Sequence, residues 1–375
     1  MAAPREYLEG GSNTFSALTR RAWSDLLHKQ VQDKLYFHRK GFIGPDQGEE
    51  DALDSPVAWY PILQKTELGK DGGDRITMPL LRQLVAPATT GNTTLKDQTA
   101  DASTAGEEAM DWWTFDTYIE LIRHATGWVH KMSAQRNKFH TKEQAASLLA
   151  DWLAQQMDDS IFNSFYNRYS AHIITEISGA STTTHPNFIY GGDADSEDAV
   201  DAADVLNAAV LERIAVYVEE NNFNPIRLSG GEEGFVLIVH PRQLHTLRAD
   251  QRWIDANQHA GHRDMDNPIF SGSEGMWAGI YIHSTNKVAV PPAAVVENTA
   301  KRRAVLMGAH SIARAIGQRP QIIKRDDTDY GRINNWAIDV IFGDSRADWT
   351  SDDGNSTVSN QSSAIVTTYA PDVNA

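Results

Sequence analysis

His259-Ala-Gly-His262-Arg-Asp264-Met-Asp266 brings two imidazoles and two carboxylates into one short stretch. Donors of that kind suit a divalent cation, and a metal-dependent hydrolase is the enzyme they would serve. The histidines stand at i, i+3, with no Glu placed as a base and no further ligand group at a recognisable spacing. A solvated polar loop is the plainer reading. Asp158-Asp159 offers the carboxylate pair of a hydrolase, but adjacent residues on a helix point about 100° apart, which suits solvation or salt bridges better. Ser271-Gly-Ser-Glu-Gly275 has the glycines of a phosphate cradle without a lysine, and a turn accounts for it. Trp112-Trp113 could stack a base or a sugar. In a strand, however, neighbouring side chains face opposite ways, so one Trp packs and the other is free for a protein interface. No P-loop, G-x-S-x-G, H-E-x-x-H or EF-hand loop occurs, and no motif asks for a cofactor.

The elements that must position these residues follow from periodicity. Phe15 to Phe37 has helical spacing through Leu18, Trp23, Leu26, Leu27, Val31 and Leu35, and Gly41, Gly44 and Pro45 end it. Arg75 to Val85 reads as a strand, and Pro79 makes it an edge strand. Met110 to Ile122 is an aromatic, β-prone run. The two are separated by a soft polar stretch, Ala86 to Gly106, of the kind that is functional or projecting. Thr141-Lys-Glu-Gln144 fits a capping box. The strongest helix follows, Lys142 to Tyr169, with Ala145, Leu148, Leu149, Trp152, Leu153, Met157, Ile161 and Phe165 on its stripe. Its length would be roughly 42 Å. Ser178 to Ala199 reads as a boundary. Helices are expected over Ala202 to Asn221, Gln243 to Asp255 and Ser311 to Gly317. Strands are expected over Phe235 to Val239, Trp277 to Ile282, Ala304 to Met307, Gln321 to Lys324 and Ile333 to Phe342. From Ala347 onward the chain is polar, with strand character only in Ala364 to Tyr369. Helices and strands without βαβ alternation make the class α+β.

The composition is globular, with 41% hydrophobic and 22% charged residues over 375 positions. Cysteine is absent, which removes disulfides, thiolate nucleophiles and Cys-based metal sites. The net charge of −16, from 34 basic and 50 acidic residues, argues against holding nucleic acid by its phosphates. It is compatible with a protein that stays near DNA without sticking to it. No secretory signal or membrane span is visible, so the chain is expected to be made and used without export.

Several stretches, taken in order, resemble one family. Gly73-Asp-Arg-Ile-Thr-Met-Pro-Leu80, Gly91-Asn-Thr-Thr-Leu95 and Gly106-Glu-Glu108 are similar to a long loop, here lengthened by Lys96 to Ala105. Arg123-His-Ala125, Lys131-Met-Ser-Ala-Gln-Arg136, Ala150-Asp-Trp152 and Asp158 to Phe162 match a spine helix and its approach. Val239-His-Pro-Arg-Gln-Leu-His-Thr-Leu-Arg248, Asn267-Pro-Ile-Phe-Ser-Gly272 and Gly275 to Ile282 match a later domain. The chain resembles the major capsid proteins of tailed bacteriophages, in the branch typified by the coliphage N-four.

The resemblance implies an α+β fold of the Hong Kong-97 capsid type. It divides the chain into an N-terminal arm (1–54), an extended loop region (55–125), a peripheral domain with the spine helix (126–199), an axial domain (200–320), strands returning to the peripheral domain (321–346) and a polar C-terminal tail (347–375). It further implies a non-enzymatic protein that assembles with itself in pentamers and hexamers. The icosahedral shell so formed encloses double-stranded DNA, is built in the host cytoplasm and resides in the virion. Portal, scaffold and decoration proteins are its possible partners, and a membrane is not. Arg75, Trp112, Trp113, Phe115 and Trp152 are the expected assembly residues. Two rivals stand beside this reading: the metal-dependent hydrolase using His259, His262, Asp264 and Asp266, and a cellular nanocompartment shell of the same fold.

Overall fold

Helix α3 (Thr141–Asn167) sets the length scale of the molecule, at about 40 Å for its 27 residues. Leu149, Leu153, Met157, Ile161 and Phe165 recur at every fourth position and are all buried. One stripe of the helix is therefore apolar and needs a partner layer. The helix was expected to run to Tyr169; it stops at Asn167, because Arg168 takes a positive φ of 72°. The computed structural model describes residues 17–47, 60–66, 73–81, 112–126, 129–130, 136, 141–176, 184–227, 233–259, 273–291, 300–324, 333–351 and 358–372. Of the capping box expected at Thr141, the Thr141 side chain itself is not among those described.

The partner layer of α3 is a five-stranded sheet in the order β1 (Ile43–Gln47), β2 (Ile62–Lys65), β13 (Ile312–Lys324), β15 (Trp336–Arg346), β5 (Glu120–Ala125). Ile338, Val340 and Phe342 alternate along β15 and meet the α3 stripe, as do Ile312 and Ile316 of β13. Helix α1 (Ala17–Lys34) covers the same core through Leu27 and Val31, and the short α2 (Tyr36–Arg39) adds Phe37. The single helix expected over Phe15 to Phe37 thus breaks at Leu35, which has extended backbone. Ser311 to Gly317, expected to be helical, is instead the start of β13. All five residues from Ile312 to Ile316 are buried, because the sheet is covered on both faces here. With Arg314 buried among its apolar neighbours, the run has no exposed polar face whose period would separate strand from helix.

A second sheet runs β10 (Gly275–Trp277), β11 (Ile280–Ser284), β9 (Glu233–Val239), β12 (Lys301–Met307), β18 (Ser363–Tyr369), β7 (Phe188–Tyr190), with β8 (Ile226–Arg227) paired to β9. Val236, Ile238, Val305, Met307 and Ile365 face the core shared with α3. Leu237, Val239, Leu306 and Val366 face the other way, toward α5 (Ala208–Glu220), α6 (Pro241–Arg248) and α7 (Gln251–His259). The expected helix from Ala202 begins only at Ala208, where the Asn207 side chain accepts the Val210 amide. The expected helix Gln243 to Asp255 is two helices, the first capped by His240 and Gln243 in a reciprocal box. Trp277 to Ile282 is a hairpin, not one strand. Ala278 and Gly279 both have positive φ, as a tight two-residue turn demands.

The described residues after Ala347, in a stretch read as a polar tail, are built into the body of the protein. β18 is an interior strand whose Ala364, Ile365 and Val366 are fully buried. Its polar look comes from Thr367, which donates to Glu197, and Thr368, which takes a bond from Gln243. β16 (Trp349–Ser351) and β17 (Val358–Ser359) join a third sheet, described below. β6 (Val129–His130) and β14 (Ile333–Asn334) form a two-stranded ribbon.

Candidate assembly surfaces

β3 (Arg75–Leu81) and β4 (Trp112–Tyr118) form an antiparallel pair in unbroken register from Arg75 opposite Tyr118 to Leu81 opposite Trp112. The sheet order β17-β16-β4-β3 leaves β3 at the edge, where Pro79 removes a donor without loss. The aromatic run Met110 to Ile122 is two strands, because Ile119 turns the chain from β4 into β5 and so from one sheet into another. Along β4 the side chains alternate. Trp113, Phe115 and Thr117 are buried, and Trp112 is 46% exposed. Phe115 meets Trp349 edge-on at 4.6 Å and shares a small core with Ile76, Met78, Ala313, Ala315 and Ala347. Of the residues expected at an assembly contact, Trp113 and Phe115 are therefore spent inside their own chain. Arg75 is exposed and lies 3.5 Å from Asp116 on the neighbouring strand.

Trp152 sits half-buried on α3, with His124 of β5 stacked on it at 4.3 Å and 20°. Asp158 and Asp159 diverge as adjacent helical residues should. Asp159 is exposed and pairs with Lys287 at 2.9 Å. Asp158 is buried, accepts the Tyr36 amide at 3.1 Å and lies 3.9 Å from Lys287. Burial pushes its carboxyl above the usual range, and the Tyr36 amide and Lys287 pull it back. These bonds tie the start of α2, and Lys287, to α3.

Two buried ion pairs lock the spine to its sheet, and sequence reasoning missed both. Arg314 donates to Asp344 at 2.7 and 2.9 Å and to the Met157 carbonyl at 3.1 Å, while Ser160 donates to Asp344 at 2.6 Å. Arg346 pairs with Asp348 and donates to the Phe165 carbonyl at 2.7 Å. A third pair, Arg303 with Glu197, joins Lys301 in pinning the acidic stretch 191–204 to β12. These groups hold the fold together.

His262, Asp264 and Asp266 lie outside the described residues, and so does the His259 side chain. Among the described residues no group of three or more His, Asp or Glu is placed to hold a metal ion. Gly275, the described end of the Ser271–Gly275 stretch, opens β10; a Cβ there would meet the Trp253 ring at 2.6 Å. That glycine serves close packing. No described helix is long and apolar enough to cross a membrane.

The sequence model of the family described as phage capsid protein matches residues 33–371. The chain belongs to the phage capsid protein family. A major capsid protein of Pseudomonas phage KPP25 is 26% identical over 310 residues, covering 75% of this chain and 76% of that one. Among solved structures, the capsid of Ralstonia phage GP4 aligns with TM-score 0.69 at 23% identity, over 92% of this chain and 93% of the other. The cyanophage Pam1 capsid subunit aligns at 0.64 and 17% identity, over 99% and 98%. At these identities the structural likeness speaks for the fold, which is the α+β, Hong Kong-97-type fold implied by the sequence. The protein is a major capsid protein of a tailed phage, a virion component that builds the shell.

Proposed function

We propose that the subunits of this capsid protein associate in rings of five and six that close into an icosahedral shell around double-stranded DNA. Heterologous contacts that close on themselves make such rings. In this reading residues 1–54 are the arm, the β3–β4 hairpin with the stretch between its strands is the extended loop, α3 is the spine of the peripheral domain, and the sheet carrying β9, β12 and β18 is the axial domain. The observation that carries the reading is the division of labour along β4. One face of the hairpin is filled by its own chain, while the other presents Trp112 at 46% exposure. An exposed Trp beside a satisfied core suits an anchor on a neighbouring subunit. Arg75, at the opposite end of the hairpin, would add polar contacts at its rim. Trp152, stacked on His124, would support such a contact rather than make it.

The role is structural rather than enzymatic, since the buried charges are consumed in holding the spine. The net charge of −16 lets packaged DNA slide instead of adhering. Assembly takes place in the host cytoplasm, with scaffold, portal and decoration proteins as the partners of the shell. Negative-stain microscopy and sedimentation of the expressed chain, alone and with its phage partners, provide the test. Closed particles of megadalton mass are expected. A chain that stays monomeric under every assembly condition would overturn the reading.

A further inference from the structure

We infer that strand β5 is a self-complementary edge that pairs antiparallel with β5 of a second copy, with Ile122 opposite Ile122. The inference rests on the shell reading above, because a closed shell of identical copies supplies two-fold contacts.

Strand edges invite pairing with another chain, and proteins usually blunt them. The other outer strands among the described residues are blunted. β1 carries Pro45 and β3 carries Pro79; β7 and β10 have three residues each, and β8 and β17 have two. β5 has six residues, Glu-Leu-Ile-Arg-His-Ala, with neither Pro nor Gly, and among the described residues no strand pairs with its outer side. Leu121 is 44% exposed, and Arg123, His124 and Ala125 are exposed as well.

The polarity of this edge can be read from its hydrogen bonds. Thr126 donates its amide to the Trp336 carbonyl, so even-numbered residues turn their backbone groups inward to β15. The Leu121 amide instead bonds its own neighbour, the Glu120 carboxylate, at 3.0 Å. Leu121 and Arg123 therefore present the outward donors and acceptors. Two antiparallel self-registers would satisfy them. One sets Arg123 against Arg123, a like-charge contact. The other sets Ile122 against Ile122, Leu121 against Arg123, and Glu120 against His124. This second register forms two pairs of backbone bonds between Leu121 and Arg123, places an acid opposite an imidazole at both ends, and keeps the two guanidiniums apart. Arg123 keeps Asp339, its cross-strand neighbour on β15, as a counter-charge. Two five-stranded sheets would then run on as one.

The absence of cysteine makes the test clean. In the inferred register Ile122 occupies a non-hydrogen-bonded pair, with Cα atoms about 4.5 Å apart, within disulfide reach. Ile122→Cys particles, purified by sedimentation and oxidised, should run chiefly as covalent dimers. Ala125→Cys, whose two copies would lie about 20 Å apart, should stay monomeric. Ile122 is half-buried, so a second design leaves it intact: Glu120→Cys and His124→Cys chains co-assembled should form a heterodimer that neither gives alone. Particles in which the Ile122→Cys chains stay monomeric, in which Ala125→Cys cross-links equally, or in which the mixed pair fails to link, overturn the inference. If wild-type chains form no particles at all, the shell reading falls separately. The same oxidation, read on concentrated soluble protein, then decides β5 pairing by dimer or monomer.

Discussion

Asp344 is the residue on which the attachment of spine to sheet can be tested most directly. Its carboxylate is fully buried and takes two bonds from Arg314, itself 2% exposed, and a third from Ser160. Asp344→Ala leaves the guanidinium without its counter-charge in a dry interior. The expected loss is about 3–5 kcal/mol, the range for breaking one side of a buried pair. Unfolding entropy of about 2.1 cal/mol/K per residue, applied to the whole chain, converts this to a fall in melting temperature of about 4–6 °C. If the spine and its sheet unfold on their own, the fall is larger. The companion variant Arg314→Met/Asp344→Leu removes both charges and should recover most of the loss, because desolvating the pair offsets much of its attraction. Calorimetry or tryptophan fluorescence on unassembled subunits reads both effects. The reasoning fails if Asp344→Ala melts within a degree of wild type, or if the double variant is no better than the single.

The two faces of β4 should separate folding from assembly. Trp112→Ala should leave subunit melting nearly unchanged and reduce particle yield, whereas Phe115→Ala should cost about 3–5 kcal/mol of subunit stability; sedimentation and melting curves distinguish them. His185 is buried against Ser363 and the Asn187 amide, and burial, reinforced by Arg346, holds its pKa well below the usual value. The unfolded chain then binds a proton that the folded chain refuses. Stability from this group is complete above about pH 6.5 and falls by about 1.4 kcal/mol per pH unit below it, until the folded pKa is reached. His185→Asn should flatten that slope in denaturation measured from pH 7.5 to 4.5. Gly343 faces the Tyr118 carbonyl so closely that a methyl group cannot enter without moving backbone. Gly343→Ala should therefore lower subunit stability by several kcal/mol, about as much as a core truncation, as a denaturation midpoint would show.

The sequence made some of this architecture plain, for physical reasons. The α3 stripe is long, regular and free of Gly and Pro, so its period stands out. The β3–β4 pairing was legible from the alternation and from Pro79, even though its strands are some thirty residues apart in sequence. The opposite facing of Trp112 and Trp113 followed from strand geometry alone. What stayed hidden was whatever depends on a second layer. Ile312 to Ile316 is buried on both faces, Arg314 included, because two cores meet there, so no exposed polar face gave it a period. β18 looked polar because Ser363, Thr367 and Thr368 find partners on other elements. The locking pairs Arg314–Asp344 and Arg303–Glu197 join residues far apart in sequence, and nothing local marks them. Phe115 looked available for a neighbour because Trp349, which covers it, follows more than two hundred residues later.

The position of β18 between β12 and β7 has a bearing on synthesis. The larger sheet has an empty lane until residues 363–369 have been translated, so β12 and β7 cannot be bridged while the chain is still emerging. On a polysome, where sister chains are crowded together, that vacancy acts as a timer: a subunit gains its finished shape only after nearly all of the described sequence has been made. Until then the edges of β12 and β7 that face the lane lack their partner, and the supply of competent subunits is tied to the translation of residues 363–369.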